Sequence, residues 1–222
     1  MIKFLAKGLI RDRSRSLFPL LTIIITVTLV IFGIGFMEGA MNNFLQSTAV
    51  ISSGHVKVVT KAYEKESSQL PNDLALFETN KIIQNLSDLY PNYFWTPRIT
   101  FGGLLDTPNE DGDTKEQGPV FGIGIDFHSK TSRQIEIWEL EKYLLHGNLP
   151  KNTNDALIST KLAKQLSVNV GSTVTLISTT MDNAFTTYNS EITGIFNLNK
   201  GQVDRQMMLV DISSARQALG ME

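Results

Sequence analysis

Between Leu17 and Met37 the chain reads LFPLLTIIITVTLVIFGIGFM, 21 residues without a charge, bounded by Arg15 and Glu38. As a helix rising about 1.5 Å per residue it reaches roughly 30 Å, the thickness of a bilayer's hydrocarbon core. Such a run can span a membrane. Pro19 reads as part of the first helical turn, where a missing N–H is tolerated, and the β-branched residues are no handicap where every backbone hydrogen bond must be internal. A cleaved signal peptide has an apolar core of roughly 7–15 residues and a small-residue cleavage pattern. This core is longer and Glu38-Gly-Ala-Met-Asn matches that pattern poorly, so the expectation is an uncleaved anchor.

Charge is distributed unevenly about this segment. Residues 1–16 hold Lys3, Lys7, Arg11, Arg13 and Arg15 against Asp12, net +4, whereas residues 40–222 are net −5. The basic flank marks its side as cytoplasmic and sets everything from about residue 40 outside. Ile2, Phe4, Leu5 and Leu9 fall on one side of a helix over residues 1–16, which describes either a basic amphipathic elbow at the headgroups or a plain topogenic flank. Gly35 and Gly39 form a small-xxx-small pair, a geometry that lets a second helix approach. With 42% hydrophobic and 19% charged residues, the remainder is too apolar for disorder and long enough for one substantial domain or two small ones. The near-neutral total of −2 supplies no basic excess for nucleic acid, and the absence of cysteine excludes disulfides, thiolate zinc sites and thiol nucleophiles.

Beyond the span the periodicity alternates between short strands and helices, the pattern of an α+β domain. His55–Thr60 is a strand candidate, and Asn72 to Tyr90 carries Phe77, Ile82, Leu86 and Leu89 at helical spacing before Pro91. Arg98–Phe101 and Val120–Ile125 read as strands, the second with Phe121, Ile123 and Ile125 on one face and Gly122 and Gly124 on the other, open to close approach. Asp106–Gly118 between them reads as a solvated loop. After Pro150 a second unit is expected: strand Ala156–Ile158, N-cap Ser159, a helix burying Leu162, Ala163 and Leu166, a turn at Gly171, and strand Thr173–Ile177 pairing with Tyr188–Phe196 across Ser178–Thr187. Gln206–Val210 follows as a strand, then a helix capped by Asp211, facing Ala215 and Leu219 inward and ending at Gly220.

Chemical signatures are sparse. His55, His128 and His146 lie far apart, none with a carboxylate or histidine at ligand spacing. The run Glu110, Asp111, Asp113 and Glu116 lacks the alternating oxygen ligands of a calcium loop. Gly122-x-Gly124 lacks the third glycine of a dinucleotide fingerprint, and no Walker A, G-x-S-x-G, S-x-x-K or H-E-x-x-H sequence occurs. Met207-Met208 reads as strand core. The sequence therefore predicts no catalytic, cofactor-binding or metal-binding residues.

The order of segments does carry a resemblance. A basic elbow, one span ending Gly-Phe-Met-Glu-Gly, then Ser53-Gly-His-Val-Lys57, Gly122-Ile-Gly-Ile-Asp126 and Leu145-His-Gly-Asn-Leu-Pro150 follow in sequence. Ala156 through Leu166, Val168-Asn-Val-Gly-Ser-Thr-Val-Thr-Leu176, Ile192-Thr-Gly-Ile-Phe196, Asp204 and Asp211 through Gly220 continue it. Taken together these resemble the start of the MacB/FtsX/Lol-type ABC transporter permeases, over nearly the whole chain.

The resemblance implies a division into a cytoplasmic elbow (1–16), a transmembrane helix (17–37) and a periplasmic core domain (38–222) of two subdomains, cut short of the family's remaining strand and three further helices. It implies a bacterial inner-membrane permease subunit without covalent chemistry of its own. In such a system a partner ATPase binds ATP in the cytoplasm, and its hydrolysis is transmitted to a periplasmic domain that moves a lipoprotein, lipid, peptide or drug. Membrane lipid, an identical or related permease and an export substrate are the other implied partners. The lipoprotein-releasing branch of the family recruits a periplasmic chaperone through a basic, proline-bearing hook in the connection matching Ser178–Thr187. Here that connection has neither arginine nor proline, which argues against such recruitment. The rival reading is a single-span anchored periplasmic sensor or interaction module, for which sixteen cytoplasmic residues leave little room for an output domain.

Overall fold

The computed structural model describes residues 13–48, 51, 54–109, 113–129, 131–198 and 203–221. Two compact units divide the chain, residues 1–55 and 56–222. In the first, α1 runs from Arg13 to Thr48, 36 residues and so about 54 Å. It continues past Glu38 because Gly39–Thr48 contains no proline to stop it. Since Arg13 is already helical, Pro19 lies beyond the first turn, and it removes the backbone bond that would reach the Arg15 carbonyl.

The second unit opens with α2 (Lys61–Lys65) and α3 (Thr79–Leu89). His55–Thr60 is not a strand: Thr60 instead caps α2, its hydroxyl accepting from the Tyr63 N–H at 3.0 Å and donating to the Leu74 carbonyl at 2.8 Å, while Val56 and Val58 stay exposed. The helix expected from Asn72 begins only at Thr79, because Pro71 leads into a 3-10 turn over Asn72–Leu74 and Glu78 adopts a left-handed φ of 52°. Ile82, Ile83 and Leu86 are half-buried, but Phe77 and Leu89 are exposed.

Next come β1 (Ile99–Pro108) and β2 (Thr114–Ile125), an antiparallel hairpin much longer than its apolar cores. Within the expected loop, residues 106–108 and 114–118 are accordingly strand. The ladder extends through Asp106 opposite Gln117, and Thr107 fixes it by donating to the Glu116 carbonyl (3.0 Å) and accepting from its N–H (3.2 Å). Helices α4 (Gln134–Ile137) and α5 (Leu140–Tyr143) and strand β3 (Leu144–Gly147) follow. Strand β4 (Asp155–Ser159) leads into α6 (Thr160–Gln165) through Ser159, whose hydroxyl accepts the Leu162 N–H as expected of a cap. Strands β5 (Thr173–Thr179) and β6 (Phe185–Phe196) form the expected hairpin, but the ladder holds through Thr179 opposite Phe185, so the connection shrinks to Thr180–Ala184. Finally β7 (Met207–Asp211) runs into α7 (Ile212–Leu219), capped by Asp211 and ended by left-handed Gly220.

Among the described residues all seven strands share one sheet, ordered β3-β6-β4-β7-β2-β1-β5, with β5 also paired to β6. Glu191 of β6 is opposite Asp155 of β4 on one edge and Thr173 of β5 on the other, so β6-β4-β7-β2-β1-β5 return on themselves as a ring. Strands from both sides of Pro150 thus contribute to a single sheet, and the fold class is α+β as the sequence implied. Phe101, Leu105, Ile158, Leu162, Val174 and Ile192 are among its buried core residues, with Met208 and Val210 of β7. Each such aliphatic side chain contributes about 1.5–3 kcal/mol on burial. Gly122 and Gly124 of β2 serve as expected. A Cβ at Gly124 would sit 2.6 Å from that of Ala215, so α7 lies directly on the strand, and one at Gly122 would meet the Phe101 ring at 2.1 Å.

Candidate functional site

The most chemically distinctive surface is that of α1. Its segment Leu17–Asn42 is long and apolar enough to cross a membrane, and none of it is buried. An apolar helix with no protein over it is suited to lipid or to other helices. The hydroxyls of Thr22 and Thr26 donate to the carbonyls of Phe18 (2.9 Å) and Thr22 (2.7 Å), which satisfies them without water. Phe32 and Phe36 stack with ring centroids 6.4 Å apart. At Gly35 and Gly39, as at Gly33, an added Cβ would meet nothing within 4 Å. Of the orienting cations, Lys3, Lys7 and Arg11 lie outside the described residues, as does most of the amphipathic elbow. Arg13 and Arg15 fall in α1, ahead of its apolar run.

All three histidines are exposed, His55 at the end of the first unit and His128 and His146 in the strand unit. His128 is 3.9 Å from Asp211, a buried carboxylate that also accepts the Phe127 N–H at 3.1 Å and the Ser213 N–H at 2.9 Å, so it ties the loop after β2 to the start of α7. Glu110 and Asp111 lie outside the described residues. Among the described ones, no three His, Asp or Glu side chains gather as metal ligands.

Asp155 begins β4 and is likewise buried. Burial alone would raise its pKa, but N–H bonds from Asn152 and Lys151, the Asn152 amide and the charge of His128 outweigh it and hold the carboxyl below its ordinary 3.8. A depressed folded pKa gives stability that is complete above the unfolded value and disappears as pH falls through the folded one. Asp155→Asn is expected to lower the melting temperature at neutral pH and to reduce its decline below about pH 4. A melting series across that range checks both.

Two features escaped the sequence reading. An aromatic group follows α3, where the rings of exposed Tyr90 and Tyr93 and half-buried Trp95 lie 6.0–6.4 Å apart, next in sequence to exposed Phe94. Arg98, just before β1, stacks its guanidinium 4.8 Å from the ring centre of Trp138 at the end of α4. The first could have been read from the local run Tyr-Pro-Asn-Tyr-Phe-Trp; the second joins residues forty positions apart and leaves no local signal.

The family model described as the MacB-like periplasmic core domain matches residues 16–221, from just before the apolar run to just past α7. The chain belongs to this family. No curated protein matches it. Members of the MacB-like family are permease-type components of ABC transporters, which work with a partner ATPase, and the chain is such a component. An apolar, membrane-length helix in a chain of this family points to an inner membrane.

Proposed function

We propose that this chain is a noncatalytic permease subunit that transmits cytoplasmic ATP hydrolysis to a periplasmic domain, which moves or extrudes its substrate in lipoprotein release or efflux. The observation that carries the reading is the joining of a membrane-length helix, Leu17–Asn42, to a MacB-like core domain. Residues 1–16 stand in the cytoplasm and residues from about 40 onward in the periplasm, and the subunit works as a dimer with an identical or related permease. ATP is bound by the partner ATPase, and this chain needs no cofactor. The small-xxx-small spacing of Gly35 and Gly39 supports a helix–helix contact within that dimer.

Purification from native membranes in mild detergent is expected to recover an ABC ATPase with the chain. Recovery of the chain in good yield with no ATPase would overturn the coupling role.

A further inference from the structure

We propose that the junction of the start of β1, the loop after β2 and α4 binds an oxyanion, held by the Arg98 guanidinium, the Trp138 indole N–H and the Gln134 amide. Three lines of geometry converge there. Arg98 precedes Ile99, which lies opposite Gly124, so the ladder sets Arg98 beside Ile125 and Asp126 at the end of β2. Gln134 accepts the Asp126 N–H at 3.3 Å through Oε1, which brings its amide to the same place. Trp138 is one helical turn further on the same face of α4, under the Arg98 guanidinium at 4.8 Å.

The chemistry of these groups is one-sided. Gln134 is 1% exposed and Trp138 3% exposed, yet Nε2 of the first and Nε1 of the second have no hydrogen-bond partner. Buried donors left without acceptors are costly, and guanidinium, indole N–H and amide NH2 are donor-only groups. Burial pushes the Arg98 pKa down to about 10, so it remains a cation at neutral pH in partly desolvated surroundings. The carboxylate of Asp126 turns to the N–H groups of His128 and Ser129 through Oδ1. A water molecule would bring two donors of its own, whereas a carboxylate or phosphate brings lone pairs alone and a charge opposite to that of Arg98.

The chain has two tryptophans, so its proton–nitrogen NMR spectrum carries two indole signals, and Trp138→Phe assigns them. The full chain in detergent micelles is titrated with acetate and, separately, with phosphate, at constant ionic strength set with chloride. The expected result is a saturable shift of the Trp138 indole signal, with about tenfold weaker binding in Gln134→Leu and in Arg98→Lys, from loss of one charge-assisted or amide bond. Tighter binding of acetate assigns the site to a polypeptide or small-acid carboxylate, and tighter binding of phosphate to a phosphate ester. An absent or unsaturable shift with both anions overturns the proposal and leaves a structural water as the acceptor. A saturable shift unchanged in both variants overturns it too, since the anion then binds elsewhere.

Discussion

Phe101→Ala and Gly122→Ala are each expected to destabilise the strand domain, and the two together by less than their sum. Phe101 is 2% exposed, and two atoms of its ring lie 2.1 Å from where a Cβ on Gly122 would be. The ring fills the space that the missing side chain leaves on the neighbouring strand, since Phe101 and Gly122 are directly opposite in the β1–β2 ladder. Truncating it leaves a cavity in the core and costs about 3–5 kcal/mol, a large part of the 5–15 kcal/mol that typically holds a domain folded. The methyl of Gly122→Ala forces a well-packed ring to move and costs about 1–3 kcal/mol. In the double variant that methyl enters the space vacated by the ring, so a coupling of about 0.5–3 kcal/mol is expected. Urea midpoints of the four proteins, followed by tryptophan fluorescence, measure it. Strict additivity would mean that the ring does not pack over this glycine.

The same hairpin shows where the sequence was legible and where it was not. Signals confined to a few residues read correctly: Ser159 and Asp211 as caps, Gly220 as a stop, and the inward stripe of Leu162, Ala163 and Leu166. Burial and capping are local demands, and local sequence records them. Strand ends failed because pairing outlasts hydrophobicity. Residues 106–108 and 114–118 look like a loop from composition, but the two stretches pair with each other as the β1–β2 ladder runs on past its apolar part. Ser178–Thr187 failed for the same reason. His55–Thr60 failed in the opposite sense: its β-branched residues suit a strand, but among the described residues no neighbouring strand pairs with it, and Thr60 is used as a cap. Closure of the sheet through β5, and the meeting of Arg98 with Trp138, depend on contacts between distant segments that no periodicity encodes. The apolar span was legible because a membrane demands an unbroken run, though α1 exceeds it at both ends: charge sets the limit of the run, and only a helix-breaking residue would have set the limit of the helix.

Replacing Lys3, Lys7, Arg11, Arg13 and Arg15 by glutamine is expected to invert a large share of the molecules in the membrane. Five cations lie before the span, and on its other side the nearest are Lys57, Lys61 and Lys65, more than a dozen residues beyond Asn42. Orientation follows the imbalance of Lys and Arg close to the span, and acidic residues count for little, so the proposed topology rests on this flank and not on the negative total of the outer domain. Each cation near an anionic cytoplasmic surface contributes about 1 kcal/mol, so removing five withdraws roughly 5 kcal/mol of bias and leaves the remaining lysines to favour the reverse. Because the chain has no cysteine, Asp182→Cys in the exposed turn between β5 and β6 gives a single thiol for a membrane-impermeant maleimide. With the native flank it should label fully in intact spheroplasts, and with the neutralised flank mostly after lysis. A native-flank protein that labels only after lysis would put the strand domain in the cytoplasm, and the transmission of ATP hydrolysis across the membrane to that domain would then have no physical basis.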